Sequence, residues 1–159
     1  MVWFAKERRV MPIQLMKRYS PEVCQQRPEC VFVFGDNMQH YGTAGQACIR
    51  YELNALGLPT KWEPSSKATG YFSDGKDFRV GCRAIEAIDE TLFAIFMALK
   101  KGKTVILPED GMGTGLAALP TNAPELFAYI KFRLESMVAY FNYPGPVAEV
   151  VDVIQSWGR

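Results

Sequence analysis

Only one histidine, His40, occurs in the 159-residue chain, and the four cysteines, Cys24, Cys30, Cys48 and Cys82, show no CxxC spacing. Zinc sites need closely spaced thiolate and imidazole ligands, so this scarcity argues against one. No metal or other cofactor is expected. An excess of charge is also missing, since 18 basic and 17 acidic side chains leave a formal net charge of +1. That balance gives no general drive toward nucleic acid or an anionic membrane. The modest basic bias of the first thirty residues, with Lys6, Arg8, Arg9, Lys17, Arg18 and Arg27, reads as a solvated segment. Every long apolar stretch is interrupted by charges, so no membrane span is expected, and no apolar h-region marks a signal peptide. The expectation is a cytoplasmic protein with buried or free thiols, while a Cys24–Cys30 disulfide stays open. No repeat, linker or low-complexity segment breaks the chain. No Ser-His-Asp order or Cys-His pairing stands out. No glycine loop ends in Gly-Lys-Ser/Thr, which disfavours ordinary NTP hydrolysis.

What is present is a hydrophobic content of 48% and an aromatic content of 13%, enough for one globular domain over residues 1–159. Residues 1–30 form an N-terminal extension that is hard to read. Within it, residues 10–16 suit a short strand or a turn of helix. Ser20 and Pro21 suit the N-cap and first position of a helix. Residues 30–34, rich in Val and Phe without alternation, fit a strand buried on both faces. Residues 43–56 read as a helix with Gly57 as its C-cap, followed by a short strand over 58–62. Residues 64–77 are polar and turn-rich, and long irregular connections of this kind are often functional. Residues 81–101 carry Ile85, Ile88, Leu92, Ile95, Phe96 and Leu99 at helical spacing. Residues 103–107 make a second central strand. Asn122, Pro124 and Glu125 have capping-box spacing ahead of a helix to about Tyr140. Residues 147–154, rich in valine, read as a last strand, with a helix as the alternative. Alternating helices and strands predict an α/β domain with crossovers and a largely parallel sheet.

Two strand exits carry glycine loops. The first reads Val31-Phe32-Val33-Phe34-Gly35-Asp36-Asn37, followed by His40, Tyr41 and Gly42-Thr43-Ala44-Gly45. The second reads Leu107-Pro108-Glu109-Asp110-Gly111-Met112-Gly113-Thr114-Gly115. Strand exits in α/β sheets are where such folds hold ligands, and glycines let backbone N–H groups approach a phosphate. A pocket for a nucleotide or nucleotide sugar is the leading idea. Thr114 adds a hydroxyl, and Glu109 and Asp110 suit ribose hydroxyls or a water better than a bare phosphate. Asp36 and His40 are candidate bases for activating water, and Asn37 is a candidate ribose contact. An Asx turn is the structural alternative for the Asp36-Asn37 pair. Gly42 and Gly45 lead into the expected helix, whose N-terminus would favour an anion. Tyr71 and Phe72, in the long polar connection, either stack on a base or plug the core.

The order of these segments resembles the macro domain, an ADP-ribose-binding α/β/α fold. The likeness rests on Phe34-Gly35-Asp36-Asn37, on Gly42-Thr43-Ala44-Gly45-Gln46-Ala47 and on the loop from Pro108 to Gly115, with Leu119-Pro120 and Ala123 before a helix. It covers roughly residues 31–130 and is nearest to small phage-associated macro-like proteins. The family's Gly-Asp-Ile segment has no counterpart before Val31, and its three-glycine cluster is thinned. The resemblance implies a three-layer α/β/α domain with a mixed, largely parallel sheet. It implies binding of ADP-ribose or a related nucleotide, with an ADP-ribosylated macromolecule as a further partner. Asn37, Gly42 and Gly45 would hold the distal ribose. Gly111, Met112, Gly113, Thr114 and Gly115 would hold the diphosphate, with Gly35, Glu109, Tyr71 and Phe72 lining the pocket. Asp36, Asn37, His40 and Asp110 would carry hydrolysis of an ADP-ribosyl or phosphate ester bond. Two other readings stand beside it: a LOG-type nucleotide phosphoribohydrolase, from the glycine loop after Pro108, and a non-enzymatic module that sequesters a nucleotide or reads ADP-ribose.

Overall fold

The computed structural model describes residues 11–159, so the expected basic segment around Lys6, Arg8 and Arg9 lies outside the described residues. Four strands, β1 (Ile13–Met16), β2 (Cys30–Asn37), β3 (Ala55–Lys61) and β4 (Thr104–Pro108), form one sheet in the order β1-β4-β2-β3. Every strand pairing in it is parallel. The chain is thus α/β as expected, but the sheet is wholly parallel among the described residues where a mixed one was implied. Strands separated by crossovers have no hairpin to reverse them, which accounts for the uniform direction.

Alternation along the strands builds two cores. Val33, Val105, Leu107, Ile13 and Leu58 point to one face, against α3 (Arg83–Lys100), α5 (Pro124–Asn142) and α6 (Ala148–Ser156). Phe32, Phe34 and Ile106 point to the other, against Cys24 of α1 (Pro21–Gln26) and Ile49 of a 3-10 turn, Gly45–Ile49. The helical face is the thicker one. In α3, Ile85, Ile88, Leu92, Ile95 and Leu99 form the expected buried stripe. Ser20 caps α1, accepting from the Val23 N–H, with Pro21 in the first turn as the sequence predicts.

Three expectations fail, each for a tertiary reason. Residues 43–56 are not a helix; the 3-10 turn and a bend occupy 45–54, and Ala55 to Lys61 extend β2's edge. Gly57 is therefore a strand residue, not a C-cap. Its need for glycine is steric: a Cβ there would lie 2.5 Å from Asp36 Oδ2. The valine-rich tail is α6, whose Val150, Ile154 and Trp157 are buried against the first core. Packing of one apolar stripe overrides β-branched propensity there. Finally, α5 begins at Pro124 with no cap from Asn122. The Asp74 carboxylate of α2 (Asp74–Asp77) reaches across instead, accepting from the Glu125 and Leu126 N–H groups at 3.0 and 2.9 Å. At the other end of α5, Asn142 clamps edge strand β1, accepting from the Ile13 N–H and donating to its carbonyl. All four cysteines are free.

Candidate functional site

The chain leaves neighbouring strands β2 and β4 toward opposite faces. After β2 it enters the 3-10 turn of the second core; after β4 it passes through α4 (Leu119–Asn122) to α5 in the first. Such divergence opens a crevice at the carboxyl ends of the strands. A cavity of about 600 Å³ lies there, within the range of small-molecule sites. Its walls come from the β2 exit (Gly35, Asp36, Asn37 and on to Arg50), the β4 exit (Asp110 to Ala117) and the end of β3 with its following loop (Thr60 to Tyr71).

The first wall is organised around Asp36, which is 6% exposed. Its carboxylate pairs with Arg50 Nη1 at 2.6 Å, contacts His40 Nδ1 at 2.8 Å and accepts from the Asn37 N–H at 2.7 Å. Arg50 is equally committed. It donates through Nε to the Gly42 carbonyl at 2.7 Å and through Nη2 to the Tyr41 carbonyl at 3.3 Å, and stacks over Phe34. Asn37 Oδ1 accepts from the Gln39 N–H, and Nδ2 donates to the Tyr41 carbonyl. That is the Asx-type arrangement foreseen as the structural alternative, and it shapes the turn. His40, with φ of 55°, has a largely exposed side chain outside the cavity wall. The Asp36–Arg50 pair thus closes the turn carrying Gly42 and Gly45, both of which line the cavity.

The second wall is the loop after β4. Gly113, Thr114 and Gly115 line the cavity with Leu116 and Ala117. Their five successive backbone N–H groups meet no acceptor among the described residues. Consecutive free N–H groups make a concave site for an anion. The loop is braced from both sides. Gln46 accepts from the Gly35 N–H and donates to the Gly111 carbonyl at 2.6 Å, joining the two glycine loops. Trp157, beyond α6, donates to the Glu109 carbonyl at 3.0 Å. Gly113 has φ of 74°, and a Cβ there would lie 3.0 Å from Leu119, so glycine serves the loop's own packing. Met112 points down into the first core, and Glu109 is exposed and outside the cavity wall. Asp110 is exposed at the rim, its side chain without a hydrogen-bond or ion-pair partner among the described residues.

The third wall is Thr60, Lys61, the loop through Ser65, and Tyr71. Lys61 Nζ donates to the Ser65 carbonyl at 2.8 Å and lies 4.4 Å from the Tyr71 ring centroid. Burial lowers the lysine's pKa from its usual value, with Glu63 acting in the opposite direction. Lys61 and Tyr71 also face each other in an antiparallel bridge that folds the loop back over the cavity. Phe72, the second aromatic of the predicted pair, is in the core, 1% exposed and edge-on to Trp62. It is a core plug, so the base-stacking alternative for it is withdrawn.

The structure therefore gathers Gly35, Asp36, Asn37, Gly42, Gly45, Tyr71, Asp110, Gly111, Gly113, Thr114 and Gly115 around one cavity. It leaves His40, Glu109, Met112 and Phe72 out of that wall. Sequence reasoning did not single out Arg50, Thr60 or Lys61, and it met Gln46 only inside the Ala-Gly-Gln-Ala run. The available signal was a charged or amide residue set among small or apolar neighbours: Gln46 in that run, Arg50 after Ile49, Lys61 at the end of a strand.

These features define an α/β protein with a parallel four-stranded sheet and a glycine-walled cavity at its switch point. The model of a family of unknown function, DUF7831, matches residues 14–133, and the chain belongs to that family. The matched span includes every residue of the cavity wall. No curated protein and no solved structure matches the chain.

Proposed function

We propose that the cavity binds ADP-ribose or a related nucleotide, with the diphosphate against the loop after β4 in a macro-like α/β/α arrangement. The observation that carries this reading is the row of N–H groups from Gly113 to Ala117 that meet no acceptor among the described residues, on a loop lining a cavity of about 600 Å³ at the crevice between β2 and β4. A phosphate supplies the acceptors that this backbone lacks. The first loop, held by Arg50 and Gln46, supplies a preformed opposite wall, so little conformational freedom would be lost on binding.

Binding is the core of the proposal. Hydrolysis of an ADP-ribosyl or phosphate ester bond by Asp36 is poorly served by a carboxylate whose oxygens are already engaged by Arg50, His40 and a backbone N–H. Asp110 is the lining carboxylate free to meet a ribose hydroxyl or a water, and it is the residue on which an enzymatic reading rests. Calorimetry with ADP-ribose, NAD, AMP and inorganic phosphate tests the binding. Heat with ADP-ribose that is absent with phosphate supports the nucleotide reading. No heat with any of the four removes it. Turnover of ADP-ribosylated protein or ADP-ribose-1″-phosphate, lost in Asp110→Asn, would add catalysis to binding.

A further inference from the structure

We propose that Lys61 reads the phosphate charge of the ligand and makes the cavity select phosphorylated nucleotides over nucleosides, an inference that rests on the nucleotide-binding reading of the same cavity. Lys61 is only 9% exposed, yet it belongs to the cavity wall. An ammonium has three donors. One goes to the Ser65 carbonyl at 2.8 Å, and the Tyr71 ring faces the charge at 4.4 Å. No carboxylate lies within 4.0 Å of it among the described residues. Glu63, the nearest acid in sequence, spends its carboxylate on Ser65 Oγ and Gln39 Nε2. A cation withdrawn from water without a counter-charge is costly to keep, and the position tolerates that cost where a neutral residue would avoid it.

The other lining cation is not available. Arg50 is neutralised by Asp36 and holds the carbonyls of Tyr41 and Gly42. The N–H groups of residues 113–117 supply hydrogen bonds but no full charge. Lys61 is thus the side chain of the described wall that can complement a phosphate's charge. Its position agrees with this. Its neighbour Thr60 packs against Gly113, where a Cβ would lie 3.2 Å from Thr60 Cβ. The end of β3 and the glycine loop therefore border the same space.

A proton readout follows. The charged and titratable groups around Lys61 are Glu63 and Tyr71 beside it, the Asp36–Arg50 pair on the first wall, and Asp110 at the rim. An anion bound at Lys61 favours the charged ammonium. Binding then takes up protons at alkaline pH below the ordinary lysine range, and affinity falls as pH rises through the lowered lysine value.

The test is calorimetry on the full chain and on its Lys61→Met and Lys61→Arg variants, with ADP-ribose, adenosine and inorganic pyrophosphate as probes. Thermal melts confirm folding of each variant. A charged hydrogen bond predicts that Lys61→Met weakens ADP-ribose and pyrophosphate roughly 10- to 100-fold. Adenosine should be unaffected, Lys61→Arg should recover part of the loss, and the proton uptake at alkaline pH should vanish in Lys61→Met. Equal ADP-ribose affinity in wild type and Lys61→Met overturns the role of Lys61 while leaving the nucleotide reading intact. So does an equal loss for adenosine, which marks a structural role. Pyrophosphate binding that depends on Lys61, with no added affinity from the nucleoside, upholds the charge reading and removes the nucleotide one. No binding of any probe by the wild type removes both.

Discussion

Replacing Arg50 by methionine should cost this protein a large share of its stability. The side chains of Arg50 and Asp36 are 7% and 4% exposed and meet at 2.6 Å. Removing one member of such a pair leaves the other charge buried, a change that costs about 3–5 kcal/mol. His40 Nδ1 and the Asn37 N–H would remain on Asp36, so the lower half of that range is the expectation. The same substitution frees the Gly42 carbonyl, while Asn37 Nδ2 still donates to the Tyr41 carbonyl, and water can reach the turn and limits that loss. Domains of this size are stable by about 5–15 kcal/mol, so the variant stays measurable or sits close to unfolding. In urea, with a slope of about 2 kcal/mol per molar, the midpoint should fall by about 2 M. The decisive comparison is the double variant Asp36→Asn with Arg50→Met, which removes the stranded charge while keeping the shape of the carboxyl group. It should regain at least about 1 kcal/mol over Arg50→Met alone. If Arg50→Met is unfolded without urea, the reappearance of a folded baseline in the double variant carries the test. A loss under about 1 kcal/mol, or a double variant no more stable than the single one, refutes the argument that Arg50 exists to neutralise Asp36.

Other consequences are as direct. Gly57→Ala puts a methyl 2.5 Å from Asp36 Oδ2 and 2.9 Å from its Cβ, and overpacking of that kind costs about 1–3 kcal/mol. An Asp36→Gly background, which removes both the carboxylate and the Cβ, should absorb most of that loss; an equal midpoint shift in both backgrounds would show that the clash is elsewhere. Gly115→Val, where a Cβ meets open space at the cavity, should change the melting midpoint by no more than a surface substitution does and still lower ADP-ribose affinity. Gly113→Val should instead destabilise the fold, because its φ of 74° is strained for a β-branched residue; a Gly113→Val protein as stable as wild type contradicts this. Burial pushes the Cys24 thiol up to about 11 and raises Cys30, Cys48 and the Tyr19 phenol. Between pH 9 and 11 the unfolded Cys24 has lost its proton while the folded one keeps it, so stability present below pH 9 is lost as pH rises through that window. The Cys24 share is on the order of 2 kcal/mol. Urea midpoints of Cys24→Ala should fall less steeply over that window, and identical slopes would remove the assignment.

Part of the site was legible because it depends on local chemistry. Apolar strands without alternation ending in glycines mark buried strand exits, and both exits line the cavity. Asn37 was ambiguous for the same local reason: an Asx turn and a ribose contact call for the same residue. The charges were the harder problem. Glu109-Asp110 looks like one unit in the chain, yet the turn at the strand end sends Asp110 to the cavity rim and leaves Glu109 outside the wall. Nothing local distinguishes Tyr71 from Phe72, but adjacent residues point to opposite sides of an extended segment. One faces Lys61, the other Trp62.

What the sequence determined by itself was the α/β class, the long amphipathic α3, the cap of α1 and the two glycine-bearing strand exits. These follow from periodicity and short-range sterics, which act over a few residues. Tertiary structure alone decided that the strand expected over 58–62 begins at Ala55, where the end of a helix was expected, because that segment gains its hydrogen bonds from β2. Contact between distant residues likewise made the valine-rich tail a helix under the β4 loop and let Asp74 cap a helix fifty residues away. It also decided which charges are spent and which are free. Arg50 and Lys61 are both basic residues beside the same cavity. Only the fold places a carboxylate against one and a ring and a carbonyl against the other.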